Sequence, residues 1–176
     1  VFADAGVLVA EIHLDDLLNM LAQLREPVVN LVVLRPYLPV DQALLVVREV
    51  HQAGEILPEA HAVINPNRQD DVSGFGYLCA AGVVMILIAT VNKLLRAMGW
   101  YSAERPEPNM MQWLELVALA TVCDVVPLKG LNRAYVTQGL KIMARRENIG
   151  LSCLSDVARL KRKPDTYALG YLLGPR

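Results

Sequence analysis

The chain has almost no charge of one sign to spare. Its 17 lysines and arginines stand against 18 acids, a net charge of −1. Nucleic-acid binders often carry a basic excess, so bulk charge gives no support for one here and leaves only a local basic groove open. Cysteine is scarce too. Cys79, Cys123 and Cys153 are odd in number and form no CxxC pair. That pattern argues against a zinc site or a disulfide framework and predicts buried, reduced thiols of a cytosolic protein. Long apolar runs are missing as well. The most lipid-like stretch, Leu78 to Val91, is about fourteen residues where a membrane span needs roughly 20, so it predicts a buried core helix. No signal peptide is visible. The chain begins at Val1 without a methionine and stops at Leu173-Gly-Pro-Arg176, which reads as a piece of a longer protein. What is present is apolar: 54% of the 176 residues are hydrophobic and mean hydropathy is +0.33. That excludes a disordered tail and suffices for one domain with a real core.

The most informative stretch runs from Trp113 to Lys129. Leu114, Val117, Ala118 and Thr121 fall at helical spacing and carry one acid, Asp124, to the end of the pattern. Val125-Val126-Pro127 then breaks it, because proline cannot continue a helix and biases the residue before it toward extended geometry. A carboxylate delivered from a buried apolar element onto a break suits a metal ligand. The same residue also reads as a helix or turn cap.

The rest predicts an α/β chain. Val1-Phe-Ala3 reads as a short strand ending on Asp4. Ala10 to Leu24 is an amphipathic helix, with Ile12, Leu17, Leu18, Leu21 and Leu24 on or near one face. His13 on it reads as a surface residue. Val28 to Leu34 is a β-branched run suited to a strand in a parallel sheet. Asp41 to Val50 reads as helix or strand, with Leu44 to Val47 favouring a buried strand over Leu44 to Val50, and Ala62 to Ile64 is a short one. Arg68 to Gly76 is a loop rich in Asp, Ser and Gly, read either as a plain solvent loop or as a phosphate contact through backbone N–H groups. Five helical segments follow: Tyr77 to Met98 capped by Gly99, Met110 to Cys123, Leu131 to Arg146, Gly150 to Leu160 and Asp165 to Leu173. The expected fold is a small, mostly parallel sheet followed by an all-helical C-terminal half. The basic clusters Arg145-Arg146 and Lys161-Arg-Lys163 read as solvated faces.

Two blocks carry a family resemblance. Leu116-Val-Ala-Leu-Ala-Thr-Val-Cys-Asp-Val-Val-Pro-Leu-Lys-Gly-Leu-Asn-Arg133 resembles a block of the RecJ single-strand-specific exonucleases, of the DHH phosphoesterase superfamily. His51-Gln-Ala-Gly-Glu-Ile-Leu-Pro-Glu-Ala-His-Ala-Val-Ile-Asn-Pro-Asn67 is similar to the stretch that begins at that family's Asp-His-His triplet. Order and spacing agree from His51 to Arg176. The resemblance implies a partial DHH domain over 1–176, α/β over 1–67 and helical over 77–176, with the family's substrate-gripping second domain beyond this sequence. It implies metal-dependent 5′→3′ hydrolysis of single-stranded DNA in DNA repair and recombination. The expected cofactor is manganese or magnesium. Asp124 and Asp4 are the implied metal ligands, and His51 the contact to the scissile phosphate. Arg133 is read either as neutralising a substrate phosphate or as pairing with a core acid. Single-stranded DNA is the expected partner, with possible C-terminal domains of a parent chain, no membrane, and the cytoplasm as location.

The N-terminal third departs from the family. Its triplet position reads Glu49-Val50-His51, and valine cannot ligate a metal. Of the first motif, Asp-Tyr-Asp-Val-Asp-Gly, only Asp4 and Val7 match; Gly6 and Leu8 stand where acids are expected. Val28 to Leu34 is followed by Arg35 and not by an acid. If that alignment is shifted, Asp15, Asp16 or Asp41 supply carboxylates instead. The reading is an impaired exonuclease; the alternative is a non-catalytic binding module or an inactive piece of one.

Overall fold

The computed structural model describes Val32–Val33, Leu45–Val47 and residues 62–176. Three short strands, β1 (Val32–Val33), β2 (Leu45–Val47) and β3 (Ala62–Ile64), form a sheet of order β1-β3-β2. β2 runs parallel to β3, with Val46 opposite Val63, and β1 runs antiparallel, with Val32 opposite Val63. The expected mostly parallel sheet is therefore corrected to a mixed one over the described strands. The reason is that an apolar run marks a buried strand without fixing its direction. The expected strand Val1 to Ala3 and helix Ala10 to Leu24 lie outside the described residues.

After β3 the described chain is helical: α1 (Ala80–Ala97), a 3₁₀ turn (Met110–Trp113), α2 (Leu114–Cys123), α3 (Gly130–Met143), α4 (Ile149–Val157) and a π-helical segment (Ala168–Leu173). α1 ends where Gly99 takes φ +69, and the N–H groups of Met98 and Gly99 close on the Leu94 and Arg96 carbonyls. Glycine pays no Cβ penalty there. By length and composition α1 is long and apolar enough to cross a membrane, with mean hydropathy 1.6 over 18 residues. A core helix of a soluble protein meets the same test. Among the described residues α1 buries one face, through Val83, Met85 and Ile86. Near its end Arg96 pairs with Glu107, whose carboxyl is held down to about 2 chiefly by that hydrogen bond.

α2 is the centre of the helical part. It is apolar on nearly every side, which is how a buried helix reads. Leu114, Val117, Ala118 and Thr121 are all buried, as their spacing predicts. Each fully buried leucine or valine contributes roughly 1.5–3 kcal/mol relative to exposure. Glu115 is buried among them. Its carboxyl is pushed up chiefly by burial, with the Asn148 side chain opposing and the Glu147 charge adding. α3 presents Asn132, Val136, Gly139 and Met143 as its buried stripe. Ala118, Val136, Met143, Leu151, Leu169 and Leu173 form one cluster that joins α2, α3, α4 and the π segment. Ile64, Leu78, Val83 and Ile86 form a second that joins β3 to α1.

Two expectations fail at the surface. Cys79 is buried, but Cys123 and Cys153 are exposed, so only one of the three thiols is a core residue. Val157, expected on the apolar face of α4 with Leu151 and Leu154, is 72% exposed. It is the last residue of the helix, where among the described residues no neighbour reaches over it.

Gly139 sets how near α2 and α3 approach. A Cβ built on it stands 2.5 Å from the Cβ of Ala118, and nearer still to the Leu114 carbonyl oxygen. Alanine is about 1 kcal/mol better than glycine inside a helix. Overpacking against backbone outweighs that, so Gly139→Ala is expected to lower stability by about 1–3 kcal/mol in urea titration.

Candidate functional site

The break after α2 holds two features that stability alone does not favour. Asp124 is the C-terminal cap, its N–H donating to the Ala120 carbonyl at 2.9 Å, and it is exposed. The carboxylate thus sits at the negative end of the helix dipole, where acids are unfavourable. Val125 follows with φ +55 and is 87% exposed. The residue after a helix takes this left-handed ending at Arg146 and Arg159 as well, but a β-branched residue in it is a genuine outlier. Such conflicts between local preference and fold gather at functional sites.

The loop after β3 leads from the carboxyl end of a strand toward α1. Open α/β sheets bind ligands at such ends. Asn65 Oδ1 accepts the Asn67 N–H at 2.8 Å, and Asn67 Nδ2 donates to the Gly76 carbonyl at 3.2 Å. Arg68 is buried; it donates to the Val63 carbonyl at 2.9 Å and forks onto both Asp70 oxygens at 2.9 and 2.6 Å. That hydrogen bond is the main reason the Asp70 carboxyl lies below its usual range. Asp71 Oδ1 accepts from the Ser73 N–H at 2.8 Å and from Ser73 Oγ at 2.5 Å. The N–H groups of Asn67, Ser73 and Phe75 are therefore spent inside the loop. This favours the self-braced loop over a phosphate cradle.

Tyr77 and Asn132 join the loop to the break. Asn132 is fully buried. Its Nδ2 donates to the Tyr77 carbonyl at 2.8 Å and to the Pro127 carbonyl at 3.0 Å. Its Oδ1 is buried with no partner among the described residues. The Leu131 N–H donates to the Tyr77 hydroxyl at 3.3 Å, and Lys129 Nζ lies 5.1 Å from the Tyr77 ring centroid. Gly130, at φ +48, makes room: a Cβ there would stand 2.5 Å from the Tyr77 hydroxyl. On the other side, Cys79 Sγ and Thr121 Oγ1 meet at 3.4 Å. Cys123 packs its sulfur near the Leu169 carbonyl at 3.8 Å although the residue as a whole is exposed. Its thiol is pushed up by that burial and then by the Asp124 carboxylate.

Of the expected site residues, Asp124 and Arg133 fall within the described residues, and Asp4 and His51 lie outside them. Arg133 is exposed on the first turn of α3 and forms no ion pair among the described residues. That leaves its core-acid reading without a partner there. Among the described residues no three His, Cys, Asp or Glu side chains come together as a metal site. Asp124 alone does not fit a manganese ion, which takes several oxygen ligands. Sequence reasoning gave Asn132 and Tyr77 no role. The usable signal was Pro127-Leu-Lys-Gly-Leu-Asn132, where a break, a glycine and a buried amide fall within six residues.

No family model matches the chain. Curated single-stranded-DNA-specific exonucleases RecJ from Dickeya dadantii, Salmonella typhimurium and Escherichia coli are 42%, 38% and 38% identical to it over 136, 137 and 135 residues. Each alignment covers 75% of this chain and 23% of the relative. The chain thus spans about a quarter of the length of the curated relatives it matches. A crystal structure of exonuclease RecJ bound to manganese superposes with TM-score 0.58 at 24% identity, over 76% of this chain and 30% of that one. That likeness is one of fold. The chain is a RecJ-like protein, matched over part of the RecJ length.

The strain at Val125 is measurable. Val125→Gly removes the left-handed penalty and gives up little burial. Against glycine's unfolded-state entropy, the net expectation is a gain of about 1 kcal/mol in urea titration.

Proposed function

We propose that this chain is part of the catalytic core of a RecJ-type exonuclease, one that hydrolyses single-stranded DNA 5′→3′ and is impaired as the sequence stands. The observation that carries the reading is the 42% identity to a RecJ exonuclease over 136 residues. The exposed acid on a strained break supports it from the physical side. Within this reading Asp124 and Asp4 are the manganese or magnesium ligands, His51 contacts the scissile phosphate, and Arg133 offers its exposed guanidinium to a substrate phosphate. Single-stranded DNA is the partner, DNA repair and recombination the setting, and the cytoplasm the location. The substrate-gripping second domain belongs to the rest of a RecJ-length protein.

The impairment rests on ligand count. Gly6, Leu8 and Val50 occupy positions where the family motif has two acids and a histidine. Glycine, leucine and valine side chains offer a metal no donor atom.

Degradation of single-stranded DNA with manganese tests both parts. Losing even one supporting partner of a metal site costs about 10–100-fold in affinity or activity, so the chain should be at least that much slower than intact Escherichia coli RecJ. Asp124→Ala should abolish what remains. Robust cleavage that disappears in Asp124→Ala refutes the impairment and establishes Asp124 as essential. If neither protein cleaves, calorimetric manganese titration decides whether Asp124 binds metal, and a flat titration of the parent chain leaves the binding-module reading.

A further inference from the structure

The π-helical segment Ala168–Leu173 has two unlike faces. Ala168, Leu169 and Leu173 are buried against the core. Tyr167 and Tyr171, four residues apart, are 55% and 70% exposed. Their ring centroids lie 5.0 Å apart with planes tilted by 30°. The Arg162 guanidinium carbon stands 5.9 Å from the Tyr167 ring centroid, and Arg162 is pinned by Asp165 at 3.2 Å. The contacts thus run Arg162 to Tyr167 to Tyr171, and Tyr171 is the more open ring.

Charge gathers at the same place. From Arg159 to Arg176 there are five cations, Arg159, Lys161, Arg162, Lys163 and Arg176, against the single acid Asp165. That is a local excess of four in a chain of net charge −1. Lys161 and Lys163 are exposed, and neither is in an ion pair among the described residues. Exposed aromatic rings that stack on bases, beside cations that track phosphates, are the two parts of a single-strand binding surface. The helical segment that carries Tyr171 packs, by its buried side, against the end of α2. Leu169 accepts from Cys123, the residue before Asp124, and a Cβ on Gly174 would stand 2.5 Å from the Cys123 sulfur. π-helical turns frequently mark functional positions.

We propose that Tyr167 and Tyr171, flanked by Lys161, Arg162 and Lys163, form a stacking platform for single-stranded DNA. The bases lie on the tyrosine rings, and the backbone phosphates follow the lysines. The platform binds without cutting, so it needs neither a metal nor Asp124. Its test is separate from the test of catalysis.

The test is fluorescence anisotropy of a labelled dT oligonucleotide with the full chain, in EDTA. Each of Tyr167→Ala and Tyr171→Ala should weaken binding about tenfold, and Tyr→Phe should restore it, because stacking needs the ring and not the hydroxyl. Lys161→Gln with Lys163→Gln should leave the ring effect intact and lower the salt slope by ~0.7 per lysine. Circular dichroism confirms that each variant keeps its helices. Equal binding by the parent and the double tyrosine variant overturns the platform, as does absence of binding by the parent. Preference for duplex over single strand overturns it too. A parent dimer that becomes monomeric on loss of the rings, without any oligonucleotide binding, assigns the rings to self-association instead. Ring-dependent binding in EDTA upholds the platform even where the manganese titration of the parent chain is flat and the exonuclease reading fails; manganese-dependent cleavage with no effect of the rings on binding does the reverse.

Discussion

One buried amide holds the candidate site together. Asn132 donates both of its N–H groups to backbone carbonyls, those of Tyr77 and Pro127, the second of which also accepts the Lys129 N–H at 2.9 Å. Tyr77 closes the loop that begins at the end of β3, and Pro127 closes the break that begins at Asp124. A hydrogen bond of this kind contributes about 0.5–1.5 kcal/mol net, so each segment is stabilised where Asn132 puts it. The tyrosine hydroxyl adds a third tie through the Leu131 N–H. Gly130 is required because any larger residue would occupy the place of that hydroxyl. Strand end, loop and break therefore behave as one unit, although more than fifty residues separate Tyr77 from Asn132.

Around this unit the molecule accepts local costs. An acid stands at the wrong end of a helix dipole, a valine adopts a left-handed backbone, and Asn132 keeps a buried oxygen with no partner among the described residues. The core elsewhere is apolar apart from a few groups such as Glu115: α2 packs through its leucine, valine and alanine positions, and α3 meets it through a glycine. Left-handed backbone also follows the two next helices, at Arg146 and Arg159, so what sets this corner apart is the β-branched Val125 together with the acid before it. The π-helical segment carries the same corner outward, with leucines toward the core and tyrosines toward solvent.

Much of the helical half was legible in the sequence. The 3.6-residue spacing of Leu114, Val117, Ala118 and Thr121 gives the buried face of α2, and Gly99 gives the end of α1. Pro127 marks the break. Less was legible in the sheet, because runs such as Val28 to Leu34 show burial and not direction. Exposure of Cys123 and Val157 was missed because both sit at helix ends, where the spacing rule has no neighbour to act on. The Asn132 clasp is a long-range contact between two loops; the run Pro127 to Asn132 marks one end of it, and no local pattern encodes its partner Tyr77. Asp124 stood out because an acid closed an apolar run; its companions Asp4 and His51 lie outside the described residues.

The direct test of this account is amide hydrogen exchange in Asn132→Ala. If the amide joins loop and break into one unit, residues 65–79 and 124–131 lose protection together. The loss should be about tenfold or more, the equivalent of a buried hydrogen bond to each carbonyl. α4 should keep its protection. Loss confined to one of the two segments, or no loss in either, would contradict the account.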